Sequence, residues 1–428
     1  MSKLLKKIFI FYINPLAILL VFNLANIANF FFQVIASRNL TYFEFSLFFS
    51  TISIINILLG PFASIQLFIQ QKLLLIKNKV DIFSFINFTA KIFLLFQIIF
   101  FIFFLIYLED IKNKLEYQNT TYFILFFIYF FSSMFMILPG AILYSERKYK
   151  SVHLIILLID FLRVLFMFLF ISKFEDKLLL MIILNIVYTI FSILVMFCIS
   201  KFNLFSSFKI FLKLDLFYKN IKSLILIFSK FLFYSACLPI ITQIDIIFVK
   251  FLFSDHLSSS YIVVSTLAKT IYIIPGVLQA YIFNESYFKK KFNNFLNYFF
   301  IIFLSFFILI FLFFFIKYVI LFFYGPGYII TLDAFKYIVF SFLLISFSNL
   351  IINFFLTRKD FVFLYFFYFI IILYVILNFL NNSSYLNISI NLLICSSIFF
   401  LVIFYYYYLR YFKFKLSYIK KFLYKIFC

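Results

Sequence analysis

Residues 236–275 read A-C-L-P-I-I-T-Q-I-D-I-I-F-V-K-F-L-F-S-D-H-L-S-S-S-Y-I-V-V-S-T-L-A-K-T-I-Y-I-I-P, and this stretch decides the fold. Two apolar runs flank a polar segment, Ser254 to Ser260, which predicts a helical hairpin closed by a tight polar turn. Inside the runs stand Asp245, Lys250 and Lys269. A charge in mid-bilayer costs on the order of 3 kcal/mol on insertion scales, so charges kept there face a partner, water or a substrate.

Working outward, the whole chain has the same character. Its 428 residues are 67% hydrophobic and 12% charged, with five Gly and six Pro, the composition of a polytopic membrane protein. The apolar runs are continuous over about 20 residues instead of alternating, so the spans are helices and not barrel strands. Twelve are predicted: Ile13 to Ile35, Phe45 to Ile69, Ile82 to Leu108, Tyr122 to Tyr144, Val152 to Ile171, Leu178 to Ile199, Leu224 to Phe253, Tyr261 to Phe283, Phe295 to Ile316, Ala334 to Leu356, Phe361 to Leu380 and Leu386 to Leu409. The amino terminus, with Lys3, Lys6 and Lys7 before a long apolar run without a small-residue cleavage site, reads as an uncleaved first span.

Orientation follows from the basic residues. Alternate connections, beginning with the amino terminus and including Lys72 to Lys79, Arg147 to Lys150, Lys201 to Lys222, Lys289 to Lys291, Arg358-Lys359 and the tail, hold about 25 of the 37 Lys and Arg. The other connections hold about six, and they carry the acids Glu109, Asp110, Glu116, Glu175, Asp176 and Asp255. By the positive-inside rule both termini are cytoplasmic. The net charge of +22 is thus a topology signal and an attraction to anionic lipid, with no nucleic-acid partner implied.

Residues 201–223 divide the chain. Phe205, Phe208, Phe211, Leu212 and Leu216 interleaved with Lys209, Lys213 and Lys219 predict an amphipathic helix along the inner leaflet. The domain reading is a six-helix lobe over 1–200, this linker over 201–223, a second six-helix lobe over 224–409 and a basic cytoplasmic tail over 410–428. Lobes that both start in the cytoplasm form a parallel repeat about an axis along the membrane normal. In support, Ser37 to Ser46 resembles Ser254 to Val263, and both the second and eighth spans carry a Gly and Pro pair, Gly60-Pro61 and Pro275-Gly276. Such pairs kink helices, with or without a cavity beside them.

The 79 Phe and 31 Tyr, without Trp, fit an AT-rich coding bias in which Phe replaces Leu toward lipid; the excess of Lys over Arg fits it too. Cys198, Cys237, Cys395 and Cys428 lack a metal or redox spacing and act as small apolar residues. His153 and His256 sit at helix ends, where a solvated imidazole is the simpler reading. No paired carboxylates with a nearby His, no Gly-rich phosphate loop and no nucleophile set can be assembled, so the chain is not read as an enzyme and no cofactor is expected.

Polar groups within the spans are the candidate site. Asn23, Asn26, Asn29 and Gln33 form one stripe of the first span. Lys91, Asp160, Arg163, Lys230, Asp245, Lys250 and Lys269 are the intramembrane charges. Lys230 and Lys250 are near enough to helix ends to snorkel. Asp160 and Arg163, three apart, either neutralise each other or face a cavity. A cavity gathering Lys91, Arg163, Lys230 and Lys269 suits an anionic group such as a phosphate or pyrophosphate, while Asp245 and Asp160 suit proton or sodium coupling.

Three stretches carry a resemblance to the Wzx-type polysaccharide flippases of the MOP exporter superfamily, similar in fold to MATE exporters and peptidoglycan-precursor flippases. They are Ile35 to Pro61, opening I-A-S-R-N-L-T-Y-F-E-F-S with Phe45 or Ser46 where glycine is common, then Leu238 to Pro275, with Q-I-D-I-I-F-V-K-F-L-F and the following Tyr261, and Ile320 to Asp360, with its Y-G-P-G-Y turn and Arg358-Lys359 stop. The resemblance implies two six-helix lobes and the flipping of an undecaprenyl-pyrophosphate-linked oligosaccharide across a bacterial cytoplasmic membrane by alternating access. It implies that Lys91, Arg163, Lys230 and Lys269 meet the pyrophosphate and the Asn/Gln stripe meets sugar hydroxyls. It further implies a monomer working beside a polymerase and glycosyltransferases. A MATE-like ion-coupled exporter of small molecules shares the fold. A lipid-linked sugar polymerase or glycosyltransferase would need a larger outer loop than Leu108 to Tyr122, and a major-facilitator transporter would need glycine between Gln70 and Asp81, where there is none.

Overall fold

The computed structural model describes residues 24–75, 97–98, 119–146, 148–200, 221–271, 313–357 and 360–412, with a few isolated positions between; every regular element among them is helical. In chain order they are α1 (24–39), α2 (Tyr42–Leu75), α3 (Thr120–Ser145), α4 (Tyr149–Phe170), α5 (Lys177–Ile199), α6 (Ile221–Leu252), α7 (255–271), α8 (Phe313–Tyr324), α9 (Phe335–Thr357), α10 (Phe363–Leu380) and α11 (Tyr385–Tyr407). Among the described residues seven helices are long and apolar enough to cross a membrane, within α2, α3, α4, α5, α9, α10 and α11. Their outer faces are apolar: Phe168 is 70% exposed, Tyr365 78% and Leu380 80%, as befits a hydrocarbon solvent.

Where the chain enters helices, side chains supply the missing partners. Thr41 and Glu44 form a reciprocal cap on α2: Thr41 N–H donates to Glu44 Oε2 at 2.8 Å, and Glu44 N–H to Thr41 Oγ1 at 3.3 Å. Asn119 accepts from Thr121 N–H, Asp176 from Leu179 N–H and Ser384 from Asn387 N–H, which caps α3, α5 and α11. Asp176 also accepts the Tyr122 hydroxyl at 2.6 Å, tying the start of α5 to the start of α3. Pro61, Pro139 and Pro239 lie inside α2, α3 and α6, places where apolar packing overrides the lost backbone hydrogen bond.

The chain forms two compact units, Met1–Gln243 and Ile244–Cys428. In the first, α3 is central, packing on α2, α4 and α5. Its core is aromatic: the Phe48 ring meets Phe32, Phe49 and Phe126 at centroid distances of 6.1, 5.1 and 5.7 Å. In the second unit α11 packs on both α9 and α10, around Phe355, Phe363, Phe367 and Phe399. Of the linker expected over 201–223, only 221–223 are described, and they open α6; the tail beyond Phe412, the third span's Lys91, and Pro275-Gly276 lie outside the described residues.

Two expectations change. The polar turn placed at Ser254 to Ser260 shrinks to Phe253-Ser254, because α7 already starts at residue 255. Ser258 and Ser259 hydroxyls donate to the carbonyls of Asp255 and His256 at 3.1 and 3.0 Å, so serine is at home in that helical turn. Lys250, expected to snorkel, is buried and hydrogen-bonded to Asp255 across the break.

The end of α8 and the turn that follows it have their own logic. A π-turn over Ile320–Tyr324 ends at Gly325, whose φ of 105° and ψ of 172° exclude any residue with a Cβ from easy occupancy. Tyr324 and Tyr328 are buried on either side of it. Ser260 of α7 donates to the Tyr328 carbonyl at 2.7 Å and accepts the Thr331 N–H at 3.3 Å, so this turn is fixed to α7.

Candidate functional site

Among the described residues, each unit holds a buried polar cluster built around an acid and a base. In the first unit Arg163 of α4 is the hub. Its guanidinium lies 3.2 Å from Asp160 Oδ1 one turn earlier, donates to Asn185 Oδ1 of α5 at 2.6 Å and to Asn29 Oδ1 of α1, and rests 4.4 Å from the Phe32 ring centroid. Asn29 returns a hydrogen bond from Nδ2 to Asp160 Oδ2 at 3.2 Å. Three helices are thus joined by one planar fork, a geometry that lysine could not reproduce. Asn185 is held in place by its own Nδ2, which donates to the Met181 carbonyl at 3.0 Å.

Beside this cluster is a cavity of about 390 Å³, whose polar walls include Tyr129, Ser133, Tyr144, Asp160, Arg163 and Asn185. Leu59 and Gly140 also line it, next to Pro61 and Pro139 in their helices. The size is that of a small-ligand site. The lining offers hydroxyls, an amide and a matched ion pair; within the described residues it offers no cation lacking an acidic partner.

In the second unit Asp245 of α6 is fully buried. Its Oδ1 accepts Lys269 Nζ at 2.8 Å, and its Oδ2 accepts Ser265 Oγ at 2.7 Å and the Tyr261 hydroxyl at 3.4 Å, all from α7. Ser389 of α11 lies 3.3 Å from the Tyr261 hydroxyl, and the Lys269 ammonium stands 5.3 Å from the Phe342 ring centroid of α9. Further along, Asn391 donates to Asn378 at 2.9 Å, linking α11 to α10.

With this geometry in view, comparison with solved structures is informative. A lipid II flippase, MurJ, in an inward closed conformation aligns over 89% of this chain and 87% of its own, at 15% identity and a TM-score of 0.56. A MATE protein in complex with MaL6 aligns over 95% of both chains, at 14% identity and a TM-score of 0.64. The chain shares the fold of these two proteins. It is a multi-pass membrane protein, and its neighbours are a flippase and a transporter. No family model matches the sequence, and no curated protein matches it significantly.

Against this fold the sequence candidates sort as follows. Asp160 and Arg163 line the cavity of the first unit, and Asn29 is hydrogen-bonded to both without lining it. Asn26 and Gln33 are half-buried on α1 and do not line it. Lys269 and Asp245, expected in separate roles as substrate cation and ion seat, form one ion pair. Asn23 and Lys91 lie outside the described residues, as does the side chain of Lys230. Sequence reasoning missed Asn185, Tyr261, Ser265 and Ser389. The signal for two of them was present: Tyr261, Ser265 and Lys269 recur every four residues, which places them on one face of α7.

Proposed function

We propose that the chain is a flippase that carries a lipid-linked oligosaccharide from the inner to the outer leaflet of a bacterial cytoplasmic membrane by alternating access. The observation that carries this reading is the lining of the first unit's cavity: hydroxyls, an amide and a neutralised ion pair suit a polyhydroxylated, uncharged glycan. A likeness in fold to a lipid II flippase over most of the chain supports it. In the complete architecture we place twelve helices in two six-helix lobes related by a parallel pseudo-two-fold, with both termini cytoplasmic. On this reading Lys91 and Lys230 meet the pyrophosphate, because Arg163 and Lys269 already hold acids. The substrate comes from membrane-bound glycosyltransferases and goes to a polymerase, and the protein works as a monomer.

The MATE neighbour, aligned over 95% of both chains, favours a second reading, a small-molecule exporter. Proteoliposomes separate the two. A fluorescent polyprenyl-pyrophosphate oligosaccharide, quenched from outside by dithionite, reports flipping; uptake of a panel of small organic cations reports export. Complete quenching with the protein and half-quenching without it supports the flippase. Cation uptake with no gain in quenching refutes it.

A further inference from the structure

An acid inside a membrane span is an obvious seat for a coupling ion, and this chain offers two, Asp160 and Asp245. A hard cation bound there would need several oxygen ligands converging on an open position around the carboxylate. The residues around Asp245 do not fit such an ion. Both of its oxygens are occupied: Oδ1 by the Lys269 ammonium at 2.8 Å, Oδ2 by Ser265 at 2.7 Å and Tyr261 at 3.4 Å. The ammonium is enclosed as well, with its side chain 13% exposed and the Phe342 ring face 5.3 Å away. A carboxylate and an ammonium in contact sum to zero, so an added alkali ion would meet a like charge a few ångströms off with no net attraction. In the first unit the same closure recurs independently, Asp160 being held by Arg163 and Asn29.

We propose that Lys269 is the resident cation of the Asp245 seat: its tethered ammonium fills the place a free alkali ion would take, and the chain's movements draw on no alkali-ion gradient at this carboxylate. The tether has a structural consequence. Asp245 lies on α6 and Lys269 on α7, with Phe342 on α9 behind them, so the cation that neutralises the acid also pins three helices of the second unit together. A diffusible ion would make that tie conditional on its concentration; a lysine makes it permanent.

The proposal does not depend on which substrate is carried, and its test reads stability instead of transport. The purified protein is unfolded thermally in detergent in lithium, sodium, potassium or choline chloride at one ionic strength. Wild type is expected to unfold at the same temperature in all four. Lys269→Ala is expected to unfold earlier in choline and to recover, saturably, with an alkali ion or with ethylammonium, which replaces the missing group. Adding Asp245→Asn to it abolishes the recovery. The proposal is overturned if wild type is stabilised saturably by one alkali ion over choline and Asp245→Asn removes that effect. It is equally overturned if folded Lys269→Ala responds to none of the added cations. Should Lys269→Ala not fold, the wild-type and Asp245→Asn arms decide alone.

Discussion

Replacing Arg163 is the sharpest perturbation of the first unit, because its side chain ends in one group that serves three partners on three helices. Arg163→Lys keeps a charge near Asp160 but loses the fork to Asn29 and Asn185. Interhelical hydrogen bonds in membrane proteins average about 0.6 kcal/mol and reach about 1.7, so the two lost bonds cost roughly 1–3 kcal/mol. Arg163→Met goes further and leaves Asp160 with only the Asn29 amide, an uncompensated buried charge costing about 3–5 kcal/mol. For a unit of this size that lowers the unfolding midpoint by roughly 6–20 °C. Adding Asp160→Asn removes the stranded charge and restores most of the loss. Scanning calorimetry of the detergent-solubilised wild type and its three variants measures these differences. The reasoning fails if Arg163→Met melts like wild type, or if the double variant is no more stable than Arg163→Met.

Three further outcomes are expected. Gly325→Ala loses about 1–3 kcal/mol, and Gly325→Asn does no better, since a ψ of 172° lies outside the left-handed helical region that asparagine tolerates; a thermal melt checks both. Ser260→Ala strands the Tyr328 carbonyl and Thr331 N–H in the core at a cost of about 1–3 kcal/mol, and hydrogen exchange then quickens selectively over residues 324–334. Ser133→Leu, projecting into the cavity of the first unit, slows oligosaccharide flipping in the dithionite assay severalfold while shifting the melting midpoint little; unchanged flipping would remove the cavity from the transport path.

The membrane helices were legible because a long apolar run bounded by charge has few other solutions. Predicted Leu178 to Ile199 became Lys177–Ile199, and Phe361 to Leu380 became Phe363–Leu380. Where hydrophilicity was read as turn, at Ser254 to Ser260, short hydroxyls bonded back to the helix and the reading failed. The cap at Thr41 and Glu44 was written in its three-residue spacing and went unused. Asp160 and Arg163 were recognisable as a pair because they are neighbours on one helix. Asp245 and Lys269 were not: 24 residues and a helical hairpin separate them, and only packing brings them together. Asn185 looked like any polar residue in a span until Arg163 reached across to it.

The two ion pairs also differ in how they come to exist as the chain is made. Asp160 and Arg163 leave the ribosome within one helical turn and enter the bilayer already neutralised, each at a fraction of the roughly 3 kcal/mol that a lone charge would cost. Asp245 emerges without its lysine and stays unmatched until α7 follows it. Because only Phe253 and Ser254 separate the two helices, α6 and α7 can enter as a preformed hairpin, carrying acid and base in together. Lengthening that two-residue break would therefore tell first in membrane insertion during synthesis, before any defect in the finished protein.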